Sequence, residues 1–312
     1  MIGDAYVAAV FYFPQSARDL GTLFLELSIA MAEGCGTGRL VSFACAAKSG
    51  KKATDYARGL PKAFESGRRM SVQSPELAVV RGDIAGSVSL RAAVDVPGRP
   101  KGPNDARWCV GCKTHGFGDW MEDAALTTCY IGWRRELVDT GASDGGPTEL
   151  HDRFPALLRA VVTAVSKYRP YYGFVDHQLF EDTEGLSVYG GIRWHNMGRE
   201  LLFDHDRWVA AGRDRQTRVP RLFWGNYFGP QLLRKLGGAA QLKRAMKDSL
   251  RQGDEDSVRK SADWIWPMPD GSHFVAMTPD VRDLPPDVWL WEPYFVRMKS
   301  WRSFLVKKSV LV

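Results

Sequence analysis

The segment from Arg221 to Gly238, RLFWGNYFGPQLLRKLGG, constrains the fold of this chain more than any other. Its first half is an apolar and aromatic run, which is typical of a strand. Pro230 then stands at the first turn of a short helix and Gly237 follows the end of that helix, as these two residues usually do. The segment therefore predicts a strand over 221–229, a tight corner, and a short helix.

The N-terminal part of the chain alternates between strand and helix patterns. Residues 5–13 have the length and composition of a buried strand, and residues 14–34 carry apolar side chains at helical spacing. Further strands are predicted over 39–46, 76–82 and 87–96. This β-α-β beginning predicts a helix packed against one face of a sheet.

The second half of the chain shows a similar mixture of patterns. An amphipathic helix is predicted over 151–168, and the aromatic run over 288–306 predicts strand and helix. Other strand-like segments lie at 171–180, 186–194, 262–268 and 272–277. The whole pattern predicts an α+β fold with mixed or antiparallel sheets and helices packed on one face. Two similar α/β halves are one form that this fold could take.

The stretch TGASDGGPTE at 140–149 has the small and flexible residues of a linker. We therefore predict an N-terminal α/β domain over 1–140 and a C-terminal α/β domain over 150–312. The C-terminal domain carries residues 221–238, which we call the Trp-Gly-Asn segment. A chain of 312 residues is also long enough to form one compact unit, and this alternative stays open.

The composition is that of a globular protein with a modest basic excess. Forty-two lysine and arginine residues face 36 acidic ones, giving a net charge of +6. The charges are dispersed, so they permit contact with nucleic acid or an acidic partner without requiring it. The odd count of 5 cysteines favours a reducing compartment. The sequence has neither a secretory signal nor an apolar run of bilayer length, and we expect a cytoplasmic protein without membrane contact.

The stretches that look like catalytic or cofactor motifs lack the residues or the structural context that these motifs require. The glycines of GCGTGR at 34–39 follow a helix and precede a strand, which inverts the context that a dinucleotide requires. KSGKKAT at 48–54 lacks the first glycine of a phosphate loop and has Lys52 in place of the magnesium-binding hydroxyl. Histidine pairs and serine nucleophile elbows are also missing from the sequence. We expect no enzyme activity and no cofactor.

One cysteine pair has the spacing of metal ligands. Cys109 and Cys112 are followed by His115, and Cys129 would complete a tetrahedral set. Strong zinc sites usually show two such pairs, whereas this chain has one. Buried thiols without a metal are therefore the favoured interpretation, and zinc remains the alternative.

Two acidic segments stand beside aromatic side chains, GDWMED at 118–123 and FEDTEG at 180–185. Aromatic anchors and nearby charges favour protein interfaces, although ordinary surface loops have the same composition. The candidate partner-binding residues are Asp119, Trp120, Glu122, Asp123, Glu181, Asp182 and Glu184.

The Trp-Gly-Asn segment resembles the signature of the type VI secretion immunity family whose members are encoded beside VRR-Nuc nuclease effectors. Looser similarity runs from about Tyr168 to the aromatic C-terminal region. A neighbouring immunity family has a similar segment, so the signature indicates the immunity role more specifically than it indicates the toxin. The matching residues are Trp224, Gly225, Asn226, Gly229, Pro230, Leu236, Gly237 and Gly238.

The resemblance implies a cytoplasmic protein that binds a cognate nuclease toxin and covers its active site, without binding nucleic acid itself. The matching residues are of types that shape a corner: Trp224 would fill core volume, Gly225 would permit close approach, and Asn226 would bond to backbone. A net charge of +6 means that any mimicry of DNA would depend on local acidic patches or on shape. The alternative function is a nucleic-acid-binding module with a basic, aromatic-rich surface.

Overall fold

The chain forms two compact units in the computed structural model. The first comprises Met1–Tyr168 and Gln178–Arg193, and the second Arg169–His177 and Trp194–Val312. The structure describes residues 4–14, 20–35, 39–45, 87–93, 108–113, 127–134, 148–180, 192–193, 212–220, 222–250, 261–278, 280–281 and 292–311.

The first unit contains an antiparallel sheet in the order β2-β3-β4-β5-β1. A short strand, β7, pairs with the end of β6 at Leu179 and Phe180. The strands are β1 Asp4–Phe13, β2 Arg39–Cys45, β3 Ser87–Ala93, β4 Trp108–Lys113, β5 Thr127–Arg134, β6 Tyr172–Phe180 and β7 Ile192–Arg193.

Two helices pack in the first unit, α1 Leu20–Cys35 and α2 Thr148–Ser166. Residues 7–13 of strand β1 are all buried, so both faces of this part of the strand are covered. Trp133 of β5 meets Phe154 of α2 edge to face, with ring centroids 5.4 Å apart. These contacts form the core of the first unit.

The second unit contains an antiparallel set of strands in the order β6-β8-β10-β9. Residues 172–177 of β6 belong to this unit. The other strands are β8 Gly225–Phe228, β9 Ile265–Pro267 and β10 His273–Ala276. Strand β8 lies between β6 and β10, and all four of its residues are buried.

Three α-helices complete the second unit: α3 Pro230–Leu236, α4 Gly238–Leu250 and α5 Glu292–Lys307. Helix α4 contacts both α3 and α5. Short 3-10 turns lie at Gly212–Thr217 and Ser261–Trp264. In the described part of the chain, no helix is long and apolar enough to cross a bilayer.

The predicted α+β class is confirmed, with antiparallel pairing between the strands. Strands β4 and β5 and helix α4 were not anticipated from the sequence. The β-α-β beginning is present as β1, α1 and β2, but β1 and β2 are not neighbours, because β3, β4 and β5 lie between them. The strand predicted over 76–82 lies outside the described residues.

Candidate functional site

The Trp-Gly-Asn segment forms a buried corner in the second unit, and we call residues 222–230 the corner segment. Its residues 222–229 are all buried, and Pro230 is half-buried. Trp224 is 1% exposed and Asn226 is 0% exposed. These side chains therefore cannot contact a partner in this conformation, and any role they have in function is exerted through the shape that they hold.

Trp224 connects the corner segment by hydrogen bonds to the residues that follow β10. Its indole N–H donates to the Thr278 hydroxyl at 2.6 Å, and that hydroxyl donates to the carbonyl oxygen of Asp280 at 2.7 Å. The carbonyl oxygen of Trp224 accepts from the backbone N–H of Met277 at 2.7 Å. Its backbone N–H donates to the carboxylate of Asp176 in β6 at 3.3 Å. One residue thus joins two distant parts of the sequence.

Asn226 closes a local loop with the residue three positions before it. Its side-chain amide donates to the carbonyl oxygen of Phe223 at 2.7 Å, and its side-chain oxygen accepts from the backbone N–H of Phe223 at 3.1 Å. Buried backbone groups require such partners, and an asparagine amide supplies a donor and an acceptor together. Phe223 also stacks on Phe174, with ring centroids 3.9 Å apart. The side chain of Asn226 therefore fixes the bend before β8.

Two glycines of the motif are required by close approach. A Cβ on Gly225 would lie 2.2 Å from Cζ of Phe274, and a Cβ on Gly229 would lie 2.6 Å from the carbonyl oxygen of Tyr171. A phenyl ring can shift, whereas the Tyr171 carbonyl is held because it accepts a hydrogen bond from the Gly229 N–H at 3.1 Å. Glycine at 229 is thus the stricter requirement.

Pro230 and the two later glycines set the bounds of helix α3. Pro230 occupies the first turn, where its missing N–H costs nothing. Gly237 has φ 97° and ends the helix in the left-handed conformation, with its N–H donating to the carbonyl oxygen of Arg234 at 3.1 Å. Gly238, with φ 82°, then begins α4. The double glycine is therefore a junction between two helices.

Burial and hydrogen bonds shift the pKa values of the titratable side chains near the corner segment. The Tyr227 hydroxyl donates to Asp270 at 2.7 Å, and burial raises the pKa of Tyr227 well above its usual range. Asp270 also accepts from the backbone N–H of Ser272 at 3.0 Å. Burial lowers the pKa of His273, and the charge of Lys243 lowers it further. Backbone hydrogen bonds and the charge of Asp270 raise this pKa and partly offset both effects. This arrangement stabilises structure and shows no nucleophile beside a base.

The predicted metal ligands are only partly described. Positions 109 and 112 lie on the extended strand β4, where positions an odd number of residues apart belong to opposite faces of a sheet. Cys112 stands opposite Cys129 in the register, and the Cys129 side chain is fully buried and outside any disulfide. His115 lies outside the described residues. Among the described side chains, no group of three or more potential ligands could hold a metal ion.

The predicted partner-binding residues lie outside the part of the chain that the structure describes. This applies to Asp119, Trp120, Glu122, Asp123, Glu181, Asp182 and Glu184. Their role as an acidic interface stays a prediction.

A basic surface on α4 was missed by the sequence reasoning. Lys243, Arg244 and Lys247 are exposed, and together with Asp248 they line one open concavity. We call the three cations the α4 basic cluster. The signal was present in the apolar residues of α4, which recur at helical spacing and form its buried face: Leu242, Ala245, Met246 and Leu250.

Comparisons with known proteins do not assign this chain to a family. No family model matches the chain, and no curated protein matches it. Among solved structures, it is similar to the Pseudomonas aeruginosa T6SS protein PA0821, with 12% sequence identity and a TM-score of 0.48. The match covers 96% of this chain and 73% of that one. A similarity of this size does not establish a common function.

Proposed function

We propose that this protein is an immunity protein of a type VI secretion system (T6SS). It binds a cognate toxin in the cytoplasm and neutralises the toxin by covering the toxin's active site. The toxin is a VRR-Nuc-type nuclease, as the resemblance of the Trp-Gly-Asn segment implies. The proposal rests on the residues that match the signature, and it treats the protein as a stoichiometric binder that catalyses nothing and needs no cofactor.

The observation that carries the proposal is the burial of the matching residues. Trp224 and Asn226 are at most 1% exposed and their polar atoms are used in hydrogen bonds to the backbone and to Thr278. A motif of this kind preserves a frame, and it leaves the chemistry of recognition to surface residues. A protein that works by binding needs such a frame, because rigid support lowers the entropy cost of forming an interface.

Neutralisation sets a requirement on affinity. A few free nuclease molecules are sufficient to damage a genome, so the complex needs a Kd near nanomolar, or about −12 kcal/mol. Interfaces of that strength commonly bury about 1,600 Å² and concentrate their energy in a few well-packed residues. A shape that stays fixed on binding favours this affinity.

Nucleic-acid binding is the second candidate, and the α4 basic cluster favours it. Three exposed cations within one helix could contact phosphates. The aromatic side chains that the structure describes are buried or half-buried, so none of them offers a stacking surface. Within the described residues, the geometry therefore supports the phosphate contact of that hypothesis.

The test is co-expression with the product of the gene adjacent to the one that encodes this chain. We expect the chain to rescue growth from a toxic product and to elute with it as one complex on gel filtration. Absence of both rescue and complex would contradict the proposal. Binding of DNA by the purified chain, weakening steeply with salt, would instead support the second candidate.

A further inference from the structure

The α4 basic cluster is carried by a firmly packed helix. The opposite face of α4 is buried, with Leu242 0% exposed and Met246 1% exposed. Helix α4 also contacts α3, which ends at Gly237, and α5, which is anchored by the fully buried Trp301. The three cations therefore project from a rigid element, and their spacing is set before any partner arrives.

The concavity has a net positive lining, with three cations beside Asp248. Lys243, Arg244 and Lys247 lie at positions i, i+1 and i+4 of α4, and none of them forms an ion pair with a described residue. Six further cations that are exposed or half-exposed lie on α3, on α5 and at the residue after it: Arg234, Lys235, Lys299, Arg302, Lys307 and Lys308.

Lys308 lies beside the junction between α3 and α4. Its Nζ would lie 3.5 Å from a Cβ built on Gly237, so the end of α5 meets the junction between α3 and α4. The ammonium group is thereby close to the C-terminus of α3, where a cation is favourable.

We propose that the α4 basic cluster is a docking surface for an acidic patch on a partner protein. This inference rests on the proposed function and deepens it, since the partner would be the toxin. Exposed cations that pair with no described residue attract carboxylates and speed up the encounter, and an arginine among them can bind a carboxylate with two hydrogen bonds.

Asp248 favours a protein partner over a nucleic acid. Its carboxylate lies in the same concavity as the three cations, where it would repel a phosphate backbone of continuous negative charge. A folded protein surface presents both signs of charge, as the lining of this concavity does. The absence of exposed aromatic rings among the described side chains points the same way, because nothing there would stack on bases.

Two triple variants of the full chain test the inference. One replaces Lys243, Arg244 and Lys247 with Glu, and the milder one replaces them with Gln in case reversed charge at the end of α4 weakens the helix. The matched control reverses three exposed cations of α2 and its end, Arg153, Arg159 and Lys167, so that the net charge changes by the same amount. Thermal unfolding of each variant verifies that it is folded.

Each variant is titrated against the product of the adjacent gene and against three probes: poly-glutamate, single-stranded DNA and duplex DNA. Measurements at about 0.05 M and about 0.15 M salt show the contribution of screened charge. We expect both cluster variants to bind the gene product and poly-glutamate about tenfold more weakly or worse, while the control variant binds as the natural chain does.

The outcomes separate this inference from the proposed function. If the natural chain binds the gene product and the cluster variants bind it equally well, the docking surface is wrong and the proposed function stands. If the natural chain does not bind the gene product, the proposed function fails and poly-glutamate decides the docking surface. Equal binding of poly-glutamate by all variants, or tighter binding of DNA than of poly-glutamate through the cluster, would overturn the inference.

Discussion

The indole N–H of Trp224 donates to the hydroxyl of Thr278 across 2.6 Å, and each residue is only 1% exposed. The two residues are 54 positions apart in the sequence. Because the pair is sealed from water, neither group can exchange its partner for solvent. The bond therefore ties the corner segment to the chain after β10.

Replacing Thr278 with Val keeps the shape of the side chain and removes the acceptor of the Trp224 indole N–H. A buried donor without a partner costs about 1–3 kcal/mol, so we expect the free energy of unfolding to fall by that amount. Urea unfolding followed by tryptophan fluorescence measures the change. The matched control is Thr217→Val, whose hydroxyl bond is exposed and whose loss should cost less than about 0.5 kcal/mol. Equal stability of the two variants would refute this role of Thr278.

Replacing Gly225 with Ala would place a Cβ against the ring of Phe274, 2.2 Å from Cζ. Overpacking of this kind costs about 1–3 kcal/mol of unfolding free energy. The cost should fall below about 1 kcal/mol when Phe274 is also replaced with Ala, because the ring that causes the clash is gone. A double-mutant cycle measured by urea unfolding gives the coupling. An unchanged cost in the second background would show that the clash does not explain the glycine.

The pKa of His273 should lie below the usual 6.5, mainly because burial disfavours the charged ring. An NMR titration measures it, with His273→Gln identifying the resonance. Lys243→Gln should raise this pKa, since the lysine charge contributes to lowering it, whereas Lys247→Gln should change it less. A folded pKa at or above 6.5 would contradict the environment described for this ring.

The sign of the effect on stability follows from that pKa. At pH values between the folded pKa and 6.5, the unfolded chain binds more protons than the folded chain. The part of the free energy of unfolding that depends on a neutral His273 is therefore fully present above pH 6.5, and it is lost as the pH falls from 6.5 through the folded pKa. The effect is expected to be small, because His273 is only half-buried.

Cys35 should be chemically inert in the folded protein. Burial raises the pKa of its thiol to about 12, and the indole of Trp133 only partly offsets this. At pH 8 the thiolate fraction is then on the order of one in ten thousand, so alkylation by iodoacetamide should be very slow. Mass spectrometry of the labelled chain, with and without urea, measures the difference. Rapid labelling of Cys35 without urea would contradict its burial.

The sequence predicted the elements whose pattern is local. Residues 5–13 were recognised as a strand by their length and composition, and residues 151–168 as a helix by their amphipathic pattern; they correspond to β1 and α2. The strand predicted over 221–229 and the helix after it were recognised because proline and glycine mark such boundaries, although the strand is shorter in the structure. The structure describes these features as β8 and α3.

The missed elements have misleading local signals. Strand β4 contains Cys109 and Cys112, whose spacing is typical of metal ligands and was not interpreted as part of a strand. Helix α4 follows the double glycine, which indicated the end of a helix, whereas Gly237 ends α3 and Gly238 begins α4. The basic cluster on α4 was missed for the same reason.

The partners of the corner segment could not be predicted from the sequence. Trp224 bonds to Asp176, 48 positions before it, and to Thr278, 54 positions after it. Such pairs depend on the register of β8 between β6 and β10, which no local pattern specifies. The residue types indicated a structural corner, and the contacts required the fold.

Titration of nuclease activity tests most directly whether this protein acts by binding. Increasing amounts of the purified chain are added to a fixed amount of the adjacent gene's product, and the remaining cleavage of plasmid DNA is measured. We predict that activity falls linearly and ends near equimolar chain, with both proteins recovered unaltered in one complex. Complete inactivation by a small fraction of an equivalent would reveal turnover and contradict a stoichiometric inhibitor, and so would nuclease activity that excess chain leaves unchanged.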